Sequence, residues 1–217
     1  MTDQTTNPVF GFTGTGDDNG VLLQFPAVAA ASGALNVQGT LIFGINTQLN
    51  NQAQTMSTLN TYLADGSGDF ISTLLTTTGP YTVSATSYTN SFIDSGSNGI
   101  YLPGTTIATD PKYGWFTPTV AASGSTSADV VTLTATQQGA GGGAAYTNHL
   151  SFEIANANTV LFPSGNGNNT VFNGLGAAAG GIDWGLPFFL GKSIFIGLEA
   201  NTITIASTPQ LGPFWAY

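Results

Sequence analysis

The segment Ser91–Pro103 (SFIDSGSNGIYLP) holds the residue types best suited to chemistry. Its Asp94 follows two bulky apolar residues, Phe92 and Ile93, and precedes Ser95, Gly96 and Ser97. Phe92 and Ile93 read as the end of a buried strand, which fixes the carboxylate rigidly. Gly96 permits a tight turn and the close approach of a second backbone. The Ser95 and Ser97 hydroxyls can hydrogen-bond around the turn and orient the carboxylate. Ile100, Tyr101 and Leu102 then resume a strand. The pattern predicts a carboxylate presented at a strand-to-turn junction, a setting that acid–base chemistry uses.

Other polar groupings carry less. His149 is the only histidine and stands at the start of an alternating strand, so it reads as a strand residue. A metal needs several converging ligands, and no metal site or cofactor is expected. Asp17-Asp18-Asn19-Gly20 and Asp65 to Asp69 (DGSGD) are oxygen-rich but lack the alternate-residue spacing and distant Glu of a calcium loop. They read as solvated turns. Gly174-Leu175-Gly176 followed by Gly180 has the wrong spacing for a dinucleotide loop. No His and acid pair is spaced to activate a serine nucleophile.

The elements that must position Asp94 are strands. Val21, Leu23 and Phe25 share one face of a short segment, and Thr40 to Ile45 is an apolar run long enough for a buried strand. Val131, Leu133 and Ala135 alternate with threonines, as do Ile203 and Ile205, while Leu150, Phe152 and Ile154 alternate with Ser151 and Glu153. Ile194 to Leu198 is a further apolar run. Gly, Asn, Pro and Ser punctuate these runs. Loops are expected at Thr13–Gly20, Gly139–Ala145, Pro163–Thr170 and Ala177–Gly181. Sustained 3.6-residue periodicity is absent, so the fold class is all-β with little helix. Residues 1–16 are expected as an N-terminal arm, partly docked through Val9, Phe10 and Phe12, and residues 17–217 as a single β lobe.

Composition sets the partners. Two basic residues, Lys112 and Lys192, face eleven acidic ones in 217 residues, for a formal net charge of -9. Nucleic-acid binding needs many more cations, and an anionic membrane surface repels such a chain. No apolar run is long enough for a membrane span. Without cysteine, disulfides and thiolate zinc sites are excluded. Only 6% of residues are charged, where about a quarter is usual. Hydroxyls and amides supply the polarity instead, which suits an acidic exterior because their hydrogen bonds survive protonation of carboxylates. An extracellular or periplasmic location is expected. Met1 is not followed by a basic n-region and an apolar h-region, so the chain reads as a mature form or a fragment.

The Asp94-Ser95-Gly96-Ser97 turn resembles the Asp-Thr/Ser-Gly-Thr/Ser motif of pepsin-like aspartic peptidases, in the form of a C-terminal lobe. Thr40 to Ile45 (TLIFGI) sits where such a lobe has its leading Phe-Gly strand. Ile182-Asp183-Trp184-Gly185 falls where the second apolar-apolar-Gly segment passes beside the turn, with Asp183 departing from the pattern. Leu186 to Leu198 resembles the strand pair that ends the lobe. Taken together, GVLLQFPAV, GTLIFGINTQLNN, SFIDSGSNGIYLP, DWGLPFFLGK and GPFWAY resemble a bacterial family of uncharacterised, pepsin-related secreted proteins.

The resemblance implies a single pepsin-like lobe of twisted, steeply packed antiparallel sheets. It implies peptide-bond hydrolysis by two carboxylates that share one proton. Asp94 would be one of them, with Ser95, Gly96 and Ser97 shaping its turn. The motif occurs once, so Asp94 is expected to lack a partner within the chain. Activity on a polypeptide then requires an N-terminal lobe or a second copy of the chain. The rival reading is a non-enzymatic extracellular module that self-assembles through strand edges and its aromatic terminus, Trp215 and Tyr217, even as an open filament; the other reading of that terminus, docking onto the chain's own sheet, is preferred. Trp184, Phe188 and Phe189 read as core or inter-lobe packing.

Overall fold

Alternation of apolar and polar residues builds most of the molecule, because a strand sends successive side chains to opposite faces. The computed structural model describes residues 7–119, 129–141, 149–161 and 168–217. One sheet runs in the order β2 (Thr40–Phe43), β1 (Gly20–Gln24), β11 (Ser193–Gly197), β14 (Phe214–Ala216) and β3 (Thr61–Leu63). A second runs β8 (His149–Ala155), β7 (Val130–Gln138), β4 (Phe70–Thr77), β5 (Ser87–Ile93), β10 (Asp183–Trp184), β6 (Ile100–Leu102) and β9 (Gly176–Ala178). Strands β12 (Thr202–Ile205) and β13 (Thr208–Leu211) form a separate hairpin. Regular α-helix among the described residues is confined to α1 (Ala157–Leu161) and α2 (Leu186–Phe189). The fold is all-β, and no helix among the described residues is long and apolar enough to cross a membrane.

The first sheet has apolar packing on both faces. Ile194 faces the larger core with Leu74, Val131, Leu133, Trp184, Phe188 and Phe189. Its neighbour Phe195 faces the other way, onto Leu22, Ile45, Phe214 and the hairpin residues Ile203 and Ile205. The first sheet therefore lies between the second sheet and the hairpin. The alternation of Val131, Leu133 and Ala135 becomes full burial on one face of β7. Val9 is buried, and the Phe12 ring lies 4.7 Å from that of Phe43.

Two expectations are corrected by the pairing. Thr40–Phe43 forms a strand, but an edge strand bonded only to β1, so Leu41 is 51% exposed rather than buried. Ala177 and Ala178, expected in a loop, belong to β9 and pair in parallel with β6. The small residues fit there because a Cβ on Gly176 would stand 2.7 Å from the Ile154 side chain and 2.8 Å from the Ile100 carbonyl. The aromatic terminus takes the docked reading: β14 lies between β11 and β3, and Trp215 Nε1 donates to the Gly68 carbonyl. Tyr217 stacks on Tyr62 and bonds Gln137 through its hydroxyl. Parts of the expected loops at Gly139–Ala145 and Pro163–Thr170 lie outside the described residues.

Candidate active site

Strand β5 ends at Ile93 and β6 begins at Ile100, so Asp94 opens the turn between them. Strand β10 lies between β5 and β6, parallel to the first and antiparallel to the second. Its register puts Ile93, Trp184 and Ile100 in one row, and all three are buried in the core. The adjacent row, Phe92, Asp183 and Tyr101, lies on the opposite face. Phe92 is thus corrected from a buried anchor to a half-exposed residue on the site's own face.

Asp94 is held from three sides. Its backbone N–H donates to the Trp184 carbonyl, 3.1 Å away. Its Oδ1 accepts the Gly96 N–H at 2.7 Å, and its Oδ2 lies 3.0 Å from Ser97 Oγ. Ser95 is exposed and takes no part in these bonds. The expectation that both serines orient the carboxylate is therefore met by Ser97, with the Gly96 backbone as the second donor. Gly185 passes close beside the turn, and the Leu186 N–H donates to the Ser97 carbonyl at 2.7 Å.

A second carboxylate completes the arrangement. Asp183 Oδ2 lies 2.6 Å from the same Ser97 Oγ, across 86 residues of sequence. The expectation of a lone Asp94 is corrected: two carboxyls flank one hydroxyl. The signal that could have found Asp183 is a charged residue in a slot that the resemblance makes apolar. Asp183 is flanked by the Phe92 and Tyr101 rows and lines a cleft of about 330 Å³ with Asn90, Phe92, Ser97, Tyr101 and Gly181. Its Oδ1 is buried without a hydrogen-bond partner. Burial raises the Asp183 carboxyl above the ordinary aspartate range, and the charge of Asp94 adds to it.

A raised aspartate keeps its proton in the folded chain at pH values where the unfolded chain has lost it. Its contribution to stability therefore falls as pH rises from the ordinary value through the raised one. Asp183→Asn cannot ionise there and should flatten that slope. Urea midpoints of both chains from about pH 3 to about pH 7 check it, and equal slopes would refute the assignment.

The remaining candidates are structural. His149 is exposed at the start of β8. Asp17 accepts from Thr47 and Gln48, and the Thr47 bond leads in holding its carboxyl below the usual range. Asp65 Oδ1 caps its own turn, accepting the Ser67 and Asp69 N–H groups. Among the described residues no three His, Asp or Glu side chains converge as metal ligands would. Lys192 donates to the Phe188 carbonyl and lies over the Phe188 ring, and burial pushes its ammonium down to about 8. Trp184, Phe188 and Phe189 all pack inside this lobe.

Comparison with known proteins gives a family. No curated protein and no solved structure matches the chain. A family model described as "Protein of unknown function (DUF3443)" matches residues 1–217. The match spans the whole sequence, turn and inserted strand included, and the chain therefore belongs to the DUF3443 family.

Proposed function

We propose that the chain is the carboxylate-bearing lobe of a secreted bacterial hydrolase of the pepsin-like kind, acting on peptide bonds in acid. The observation that carries this reading is Asp94 and Asp183 joined through one serine hydroxyl beside a cleft. A strand inserted beside the Asp94 turn, with a glycine pressed against it, is also what the sequence resemblance implies. Asp94 acts as the base on a water molecule, and a protonated carboxyl from the N-terminal lobe or second copy donates to the scissile carbonyl. The polypeptide is expected to lie across the cleft face. An N-terminal lobe or a second copy of the chain covers it there and excludes water. The chemistry calls for no cofactor.

The test is cleavage of an unfolded protein at about pH 3 to 5, where one of two coupled carboxyls keeps its proton. Asp94→Ala is expected to reduce the rate about 10²–10⁴-fold. Equal rates in the two chains, or no cleavage by the folded wild-type chain, would overturn the reading.

A second reading is favoured by one observation. Edge strand β2 (TLIF) carries no charge and exposes Leu41 and Phe43, so nothing on it blocks pairing with another chain. A self-assembling extracellular module through that edge would appear as an open series of oligomers without cleavage. The aromatic terminus contributes nothing to it, because β14 is already paired on both sides.

A further inference from the structure

We propose that Asp183 is a positioning residue for Asp94: its protonated carboxyl donates to Ser97 Oγ, which commits the single Ser97 proton to Asp94 Oδ2 and leaves Asp94 as the charged member of the pair. The inference rests on the hydrolase reading for its catalytic meaning, but its first test does not.

The argument begins with a count of protons. Ser97 Oγ lies within hydrogen-bond distance of a carboxyl oxygen on each side, at 3.0 Å and 2.6 Å. A hydroxyl has one proton to donate and two lone pairs to accept with. If both carboxyls were ionised, one contact would be oxygen against oxygen with no hydrogen between them. Both contacts are bonded only when one carboxyl carries a proton and donates it to Ser97.

The surroundings decide which one. Asp94 receives the Gly96 N–H on Oδ1 and the Ser97 hydroxyl on Oδ2, so donors aim at both its oxygens, as a charged carboxylate requires. Asp183 has an oxygen buried without a donor and stands in register between Phe92 and Tyr101, where a charge is costly. The titratable groups facing Asp183 are Asp94 on the turn and Tyr101 on β6, whose hydroxyl donates to Asn98 Oδ1. The other cleft residues, Asn90, Phe92, Ala179 and Gly181, carry no charge. Among the described residues, no cation lines the cleft to offset a second negative charge. The proton therefore rests on Asp183, and the relay runs in one direction from Asp183 to Ser97 to Asp94.

The relay has a pH limit. When Asp183 ionises, Ser97 can satisfy only one of two like charges, and the orientation of Asp94 is lost. The active form exists while Asp94 is ionised and Asp183 is not, which confines activity to acid.

Two measurements on the full chain test this. The first follows the side-chain carboxyl carbons of Asp94 and Asp183 by NMR as pH is raised. The pair titrates in two steps. The upper step is expected mainly on Asp183. Asp94→Asn should lower the Asp183 midpoint, and in a Ser97→Ala background the same substitution should lower it less. An upper step on Asp94, or an Asp183 midpoint indifferent to Asp94→Asn, overturns the proposal. The second measurement is the pH profile of cleavage. The amide of Asp183→Asn still donates to Ser97 Oγ but cannot ionise, so this variant should cleave to higher pH than the wild type. Asp183→Ala should lose rate throughout. A profile for Asp183→Asn that coincides with the wild type overturns the role. A chain that cleaves nothing sinks the hydrolase reading instead, and the titration still decides where the proton lies.

Discussion

Trp184→Ala is expected to remove about 3–5 kcal/mol of folding free energy. Trp184 is fully buried, and it meets Phe152 edge-on at 5.1 Å and Phe188 at 5.3 Å between ring centroids. Its indole N–H donates to Ser72 Oγ at 3.0 Å, inside the core. Truncation leaves a ring-sized cavity between the second sheet and α2, and it strands the Ser72 hydroxyl. A domain of this size has a net stability of about 5–15 kcal/mol, so the loss takes a large share of it. The effect reaches the site through the backbone, because the Trp184 carbonyl holds the Asp94 N–H. Urea unfolding of the variant checks the magnitude. Trp184→Phe, which refills most of the space, should recover part of the loss. A Trp184→Ala midpoint equal to that of the wild type would mean that the indole is not the keystone of this core.

Gly185→Ala should be nearly as damaging, and for a different reason. The Gly185 backbone, at φ -69° and ψ -168°, is open to any residue, so conformational strain is not the issue. Space is the issue. A Cβ there would stand 2.1 Å from the Gly99 carbonyl oxygen and 2.7 Å from that of Ser97. Both obstacles are backbone atoms of the Asp94 turn, and neither can rotate away. Overpacking against yielding side chains costs about 1–3 kcal/mol, and a clash with fixed backbone belongs at or above the top of that range. Relief requires the turn to move off β10, which separates Ser97 from Asp183. The expected result is a destabilised chain in which the Asp183 midpoint no longer responds to Asp94→Asn. Gly180→Ala is the control, since no atom lies within 4 Å of a Cβ built there; its change should stay within about 0.5 kcal/mol. Equal stability of the two variants would refute the close approach.

The two substitutions divide the lobe into a part that any β protein needs and a part special to the site. The row Ile93, Trp184 and Ile100 faces the core, and the row Phe92, Asp183 and Tyr101 faces the cleft. Each strand contributes to both rows because its side chains alternate. Core packing on one face thus fixes the positions of the carboxyls on the other.

Local patterns in the sequence carried the fold class. The alternation through Val131, Leu133 and Ala135 and through Ile203 and Ile205 requires only neighbours in the chain, and these segments are strands with those residues buried. The turn at Asp94 was readable for the same reason: its glycine and hydroxyls act within three residues of the carboxylate. What the sequence left open depends on partners distant along the chain. Thr40–Phe43 has the apolar run of a buried strand, yet its exposure follows from having one neighbour rather than two. Trp215 and Tyr217 could form a partner surface or dock on the chain's own sheet, and the placement of β14 between β11 and β3 decides for docking.

Asp183 shows the division most sharply. By itself the sequence determined an all-β chain, poor in charge, with one carboxylate held rigidly at a turn. Only the tertiary structure decided that a second carboxyl meets the same serine hydroxyl, because a two-residue strand has too little periodicity to be read locally. Its place between β5 and β6 is set by backbone pairing and by Trp184 entering the core. That pairing brings a carboxyl from 86 residues away onto the Ser97 hydroxyl. The meeting of two carboxyls is a matter of distance in space, and local sequence encodes that distance only within a turn.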